Sequence, residues 1–441
     1  MGKENRISSC ANTVVDGEFS RKCSFDSVNG TENQSNLKEQ VDTGRAWLIL
    51  AVGLANYIVL FGCYMSFGIF QSYYLKVMFS DTPADVVSWI STVSTSLMLV
   101  CGPVAGPLMS VLGIKPTLAL GSILGPLGLL LASFSSQVWQ LVLTQGVMFG
   151  FGAAILINCS VTLTSIWFEK KRQFALVVLS FGSPLGGLFF VPVISFVLNG
   201  VGLSWAFRIL FAISFVITCV GVFVLKPRQG FKSDSKPLNL SLLKDKYIIL
   251  LVLYCLATGM AELIPFQYFL ASIVDMGFNK GLSYNLLLIF CGASLLCRIT
   301  MVLISNRVGI TNMMLVSNTL TGIFTLAMWY TSTSIPTSLV YYVILGYVSG
   351  VGFSAGPVLV GAQYPKELVS QANGLLYLAY GGSYLISGPL AGFIFDKVGH
   401  RTSYSEVILV CGAFYLLSGA IALGIRIYSR KYIPRLKNGP L

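Results

Sequence analysis

The chain has little charge, almost no histidine and no paired cysteine motif. Only 10% of its 441 residues are Asp, Glu, Lys or Arg, against about 25% in an ordinary soluble domain. His400 is the single histidine, and no CxxC pair occurs. A zinc or haem site has no donor set to build on. The ten cysteines suggest no disulfide framework. Cys10 and Cys23 fall in a polar amino-terminal stretch, and the other eight fall in apolar runs, where a thiol packs as a small apolar group. There is no nucleophile elbow, no Walker glycine loop followed by Lys and no HExxH helix. An enzyme is therefore not expected, no cofactor or metal is implied, and ATP-driven transport would need a separate subunit.

Long apolar runs dominate instead. Hydrophobic residues make up 55% of the chain. A membrane-spanning helix needs roughly 20 mainly apolar residues. Twelve stretches qualify: 47–74, 86–111, 116–134, 139–166, 174–197, 205–225, 247–272, 282–304, 312–330, 338–363, 371–395 and 405–427. A barrel strand would be only about 10 residues long and would alternate in polarity. The expected fold is an all-α membrane protein of twelve transmembrane helices in two six-helix pseudo-repeats.

The repeat is visible as an offset of about 197 residues. Pro192–Phe196 with Val201 and Gly202 matches Pro389–Phe393 with Val398 and Gly399. The same offset pairs Ala175 with Ala372, Tyr57 with Tyr254 and Gly62 with Gly259. Gly146, Gly150 and Gly152 pair with Gly346, Gly350 and Gly352 at offset 200. Tandem membrane halves are the mark of secondary transporters, whose solute site lies between them.

The net charge of +12 follows the topology. With both tails in the cytosol, the tails and inner loops hold 23 Lys and Arg, counting Arg426 at the inner end of the last span, and the outer loops hold 4. That is the positive-inside bias. No aromatic–basic module accompanies the charge, so nucleic acid is not an expected partner. The lipid bilayer is, with anionic headgroups near the basic loops.

The expected organisation is a disordered cytosolic N-tail (1–45), a six-helix bundle (46–225), a cytosolic linker (226–246), a second bundle (247–427) and a cytosolic C-tail (428–441). No apolar core follows Met1 closely enough for a cleavable signal peptide, so the first span is expected to direct insertion. Three glycosylation sequons, at Asn29, Asn33 and Asn239, would then face the cytosol unused. GxxxG pairs such as Gly146/Gly150, Gly182/Gly186, Gly346/Gly350 and Gly388/Gly392 are expected to bring helix backbones close.

Three ionisable residues lie well inside the spans: Arg208, Glu262 and Arg298. Such groups are costly in lipid and face a cavity or a partner. Arg208 is near an outer end and can snorkel. Arg298 lies about 24 Å deep at ~1.5 Å per residue. Its guanidinium offers a donor fork to a carboxylate or other planar anion, and a structural ion pair is the alternative. Glu262 is about 15 Å deep. It is the candidate for proton coupling, with a structural role as the alternative. Uncharged candidates for solute binding are Asn56, Tyr57, Tyr64, Asn158, Gln267, Tyr377 and Tyr380. Trp89 and Trp139 look like interface anchors.

These residues also carry a resemblance. Ser66–Gln71 with Tyr73 and Tyr74, Ser88–Ile90, Trp167–Phe168 with Arg172, Phe181–Gly187, Trp205–Arg208, Arg298–Ile299, Gln371–Gly374 and Ser387–Gly392 resemble major facilitators of the monocarboxylate-porter type, most like the fungal branch. The resemblance covers roughly 45–427. It implies the major facilitator fold and alternating access, often with proton cotransport of small carboxylates. The sequence departs from the animal carriers at three places. Ser294 stands where they have an Asp one turn before the span-eight Arg, no Lys occurs between Arg45 and Lys76, and Ser110 and Asn306 replace the acidic loop position. Glu262 is then the candidate replacement for the missing carboxylate.

The expected function is secondary active transport of a small organic solute, monocarboxylate-like or another anionic or aromatic metabolite, by alternating access, with proton symport as a possible coupling. The alternatives are an exporter of a larger secondary metabolite and a solute sensor without flux. The functional unit is expected to be a monomer, at the plasma membrane rather than an endomembrane, with both termini cytosolic.

Overall fold

The computed structural model describes residues 44–168, 171–226, 240–277, 286–331, 334–364 and 366–432. The N-tail up to residue 43, all three sequons, most of the central linker and the chain end from 433 lie outside the described residues. The described chain is helical throughout, because helices satisfy every backbone polar group internally where lipid cannot.

The first half contains α1 (Gly44–Tyr73), α2 (Ala84–Val100), α3 (Gly102–Leu112), α4 (Ile114–Ala132), α5 (Phe149–Trp167), α6 (Arg172–Ser180), α7 (Gly182–Gly200) and α8 (Leu203–Val224). The second half contains α9 (Lys246–Asp275), α10 (Leu286–Val308), α11 (Ile310–Phe324), α12 (Ile335–Gln363), α13 (Lys366–Lys397) and α14 (Ser405–Tyr432). Ten helical stretches are long and apolar enough to cross a membrane, or eleven if the bent pair α2–α3 is one span. That pair bends by 55° at Cys101, where Pro103 opens α3 and Pro107 lies inside it. The remaining expected span, 282–304, coincides with α10, whose apolar part Leu286–Met301 is shorter. Several boundaries differ from expectation by three to five residues, among them the start of α13 at Lys366 and the end of α10 at Val308. Helix α1 already begins at Gly44, and α14 continues to Tyr432, past the expected edge at 427. Short π-helical turns at Tyr74–Met78, Val142–Met148 and Thr325–Trp329 were not legible in the apolar pattern.

Small residues set the packing. A side chain on Gly186 would strike the backbone of Ile58 and Gly62. Gly146 and Gly150 of the fourth apolar stretch lie against Ile90, Val93 and Ser94 of α2. Gly346 and Gly350 of α12 lie against Phe290 and Cys297 of α10. Between the halves, Gly381, Gly388 and Gly392 of α13 press on Val100, Thr92 and Asp85 of α2. Gly62 contacts Gly186, and 197 residues on, Gly259 contacts Ser383. The two halves therefore place equivalent residues in equivalent helix contacts.

Candidate functional site

The halves are tied together at the end opposite the two chain termini. Lys76, just after α1, reaches Asp275 at the end of α9 at 2.7 and 2.5 Å. The Tyr404 hydroxyl donates to the same carboxylate at 2.6 Å. Burial and the Asp275 charge hold that phenol well above its ordinary pKa, so Tyr404 remains a donor through the physiological range. The Ala84 N–H donates to Asp396 at 2.5 Å. Arg401 donates to Asp396 at 2.7 Å and to the backbone oxygens of Ser80 and Thr82. His400 and Arg401 both take the left-handed backbone region, at φ 47° and 61°. A residue without glycine's freedom is held there only when its surroundings demand it. Here the turn aims Arg401 across the boundary.

Deeper down, the Gln267 amide donates to Ser91 (2.9 Å) and Thr92 (3.1 Å) across the same boundary. Ser96 donates to the Gly381 carbonyl at 2.5 Å. Together these contacts form a seal between the halves that runs from Lys76 and Asp275 to Ser96 and Gly381.

Beneath the seal lies a cavity of about 50 Å³ lined by Tyr64, Glu262, Pro265, Phe266, Phe290, Tyr342, Leu345, Ser349 and Tyr415. Tyr64 is the single lining residue from the first half. Its ring stacks on Phe266 of α9, with centroids 4.9 Å apart and planes 9° apart. Glu262 projects from the same helix one turn earlier and accepts from the Tyr384 hydroxyl at 3.3 Å. Pro265, inside α9, removes a backbone donor between the two. Phe290, Tyr342 and Tyr415 make most of the remaining wall, with Leu345 and Ser349. Phe290 and Tyr342 lie 5.2 Å apart, and Tyr342 stacks on Phe269 at 4.1 Å.

Of the residues singled out from sequence, Tyr64 and Glu262 meet at this cavity. Tyr380 stands behind it, edge-on to Tyr384 and donating to the Gly352 carbonyl at 3.0 Å. Tyr377 packs on a cluster made mostly of second-half residues that also takes in Leu99 of the first half. The others are placed elsewhere. Gln267 belongs to the seal. Asn158 donates to the Ala154 carbonyl at 2.8 Å and packs on Gly102. Asn56 is fully buried against Gly221 with both amide atoms unpaired, and Tyr57 packs on Gly182 and Phe61. Arg298 does not line the cavity. Its guanidinium donates to Ser294 Oγ at 2.5 Å, while its Nε has no partner among the described residues. Ser294, the departure noted in the sequence, thus holds the arginine from one turn away. No Glu262–Arg298 ion pair forms among the described residues, although each lies within the other's electrostatic reach.

Sequence reasoning missed Phe266, Phe290, Tyr342, Tyr384 and Tyr415. The period-3.6 signal could not single them out, because lipid-facing and core-facing positions are both apolar here. Arg208 lies over the rings of Phe134 and Trp205, at 5.2 and 5.1 Å.

A multi-pass helical bundle with a small half-depth cavity between two similar parts defines a membrane transporter rather than an enzyme. The chain belongs to the Major Facilitator Superfamily, whose model matches residues 54–309 and 285–440. It is 30% identical over 384 residues to the MFS transporter asaE of Aspergillus flavus, covering 85% of this chain and 87% of that protein. It is 25% identical over 381 residues to the Agnestins efflux protein AgnL12 of Paecilomyces divaricatus, covering 85% and 87%. A crystal structure of the nucleoside transporter NupG superposes with a TM-score of 0.69 at 14% identity, covering 88% of this chain and all of that one. That likeness concerns the fold.

Proposed function

We propose that the chain exports a small organic secondary metabolite by alternating access between two six-helix halves, with twelve spans in all. The cavity beneath the seal carries this reading. It is closed towards one membrane face by contacts between the halves, and it is bounded by Tyr64 from one half and Glu262 from the other. The matching contacts Gly62–Gly186 and Gly259–Ser383 support two repeats moving as units. The named efflux activity of AgnL12 supports the direction. In this reading both termini are cytosolic, the sealed face is the outer one, the membrane is the plasma membrane, and one chain suffices. Glu262 carries the coupling proton. It is the one carboxyl on the cavity lining, and its hydroxyl partner Tyr384 can support either protonation state.

Purified protein in proteoliposomes tests this. Counterflow of labelled carboxylates, vitamins and aromatic metabolites, at two pH gradients, should reveal saturable flux. Absence of flux across the panel would contradict it. One observation favours a second reading, uptake of a monocarboxylate. The unpartnered Nε of Arg298 could take a carboxylate in another conformation. Arg298→Ala would then abolish flux of carboxylates alone.

A further inference from the structure

We propose that Tyr64 and Phe266 form a ring clamp that selects the solute, and that the solute is a planar aromatic bearing a hydrogen-bond donor, neutral or cationic, rather than a carboxylate. The inference rests on the cavity being the transport site.

Three observations carry it. First, about 50 Å³ holds a few waters, whereas small-molecule sites run to ~300–1,000 Å³. The site must open to admit a metabolite. Second, the wall best placed to open is the Tyr64–Phe266 stack. It joins α1 of one half to α9 of the other, at 4.9 Å and 9°. Parting the rings is therefore part of the same motion as rocking the halves. A planar solute that slides between them replaces one ring–ring contact by two. A bulky aliphatic solute cannot. Third, the polar groups on the lining are Glu262, Ser349 and the tyrosine hydroxyls, with no basic residue among the described lining side chains. Glu262 accepts a single long bond, from Tyr384 at 3.3 Å. Its carboxylate has acceptor capacity left for an amine, amide or phenol of the solute. A solute carboxylate would face it with like charge. The deep cation, Arg298, is held off the lining by Ser294.

The geometry also divides labour between the two rings and the carboxyl. Stacking fixes the plane of the solute and tolerates variation at its rim. Glu262, one turn of α9 from Phe266, fixes which edge of the solute carries the donor.

The test uses the full chain in nanodiscs and three matched probes. These are 9-aminoacridine (planar, donor), anthracene-9-carboxylate (planar, anion) and 1-adamantylamine (donor, not planar). Direct binding is measured for the wild type and for Tyr64→Phe, Tyr64→Ala, Phe266→Leu and Glu262→Gln. Thermal unfolding checks that each variant is folded. The expected result is binding of 9-aminoacridine that Tyr64→Phe, which keeps the ring, weakens less than Tyr64→Ala does. Tyr64→Ala and Phe266→Leu should each weaken it by roughly five- to tenfold, the scale of a lost aromatic pair. Both other probes should bind at least about tenfold more weakly. The proposal is overturned if folded Tyr64→Ala and Phe266→Leu bind 9-aminoacridine like the wild type, or if the carboxylate probe binds as tightly as the amine. Parallel flux measurements separate the two claims. Solute flux without binding of 9-aminoacridine removes the clamp and leaves the transporter reading. Clamp-dependent binding without flux of any solute supports the clamp and removes export.

Discussion

In the first half, Gly62 lies on the backbone of Gly186. In the second half, 197 residues on, Gly259 lies on the side chain of Ser383. The scaffold contact is the same, but the chemistry hung on it differs. The first half contributes Tyr64 to the cavity, while Asn56 and Asn158 sit in helix contacts. The second half contributes Glu262, Phe266, Phe290, Tyr342, Ser349 and Tyr415. One half can therefore diverge in solute chemistry while the other keeps the shape that lets both move.

The largest expected effect comes from the helix pair that joins the halves. Any side chain on Gly388 would overlap Thr92, and a Cβ on Gly392 would stand 2.5 Å from Asp85 Cα. Gly388→Leu should cost at least ~1–3 kcal/mol, the range for overpacking. It should hold the halves apart at the sealed face. A lowered unfolding temperature in detergent, together with raised reactivity of Cys291, which packs against Gly187 of the other half, to a membrane-permeant thiol reagent, would show this.

A reciprocal exchange sharpens the comparison further. Gly186→Ser would drive a side chain into the Ile58 and Gly62 backbone and should cost about 1–3 kcal/mol. Ser383→Gly removes a side chain that donates to Tyr380 O at 2.7 Å and should cost nearer 1 kcal/mol. A Gly186→Ser loss no larger than that of Ser383→Gly would mean that the first-half contact has room for a side chain, as the second-half contact does. Next comes the seal. Arg401→Ala removes bonds to Asp396, Ser80 and Thr82 and relaxes a left-handed turn. Because Arg401 is exposed, the effect on stability should be below about 1 kcal/mol. Its visible effect should be faster opening of that face, read as increased labelling at Ser91→Cys. The smallest effect is expected from Arg208→Ala, which loses contacts to Phe134 and Trp205 at ~0.5–1 kcal/mol. Flux should be unchanged.

Much of the scaffold was legible in the sequence. The apolar runs located the helices, because spanning lipid demands length and apolarity together. The glycine pairs located the close contacts, because only a missing side chain lets Gly186 approach the α1 backbone. The two deep charges were also visible, and both belong to the second half. Their roles were not. Arg298 looked like the solute's partner because burying a guanidinium is costly. The structure meets part of that cost locally, through Ser294, one turn away, which the sequence marks only as a lost carboxylate. The aromatic walls were hidden for a different reason. In a chain where lipid and core are both apolar, Phe290 and Tyr342 carry no mark of which way they face. The bend at Cys101 and the π-helical turns were hidden too, since they depend on neighbouring helices.

The central claim is that Glu262, at the cavity bounded by both halves, governs transport. The most direct test is flux through Glu262→Gln in proteoliposomes, with Asn56→Ala as the first-half control. Glutamine keeps the size and removes the charge. The account predicts that Glu262→Gln, folded and inserted, loses at least about tenfold in flux, the scale of a hydrogen bond to a charged group. It also predicts loss of the response to a pH gradient, while Asn56→Ala transports like the wild type. Full, pH-responsive flux in Glu262→Gln would contradict it.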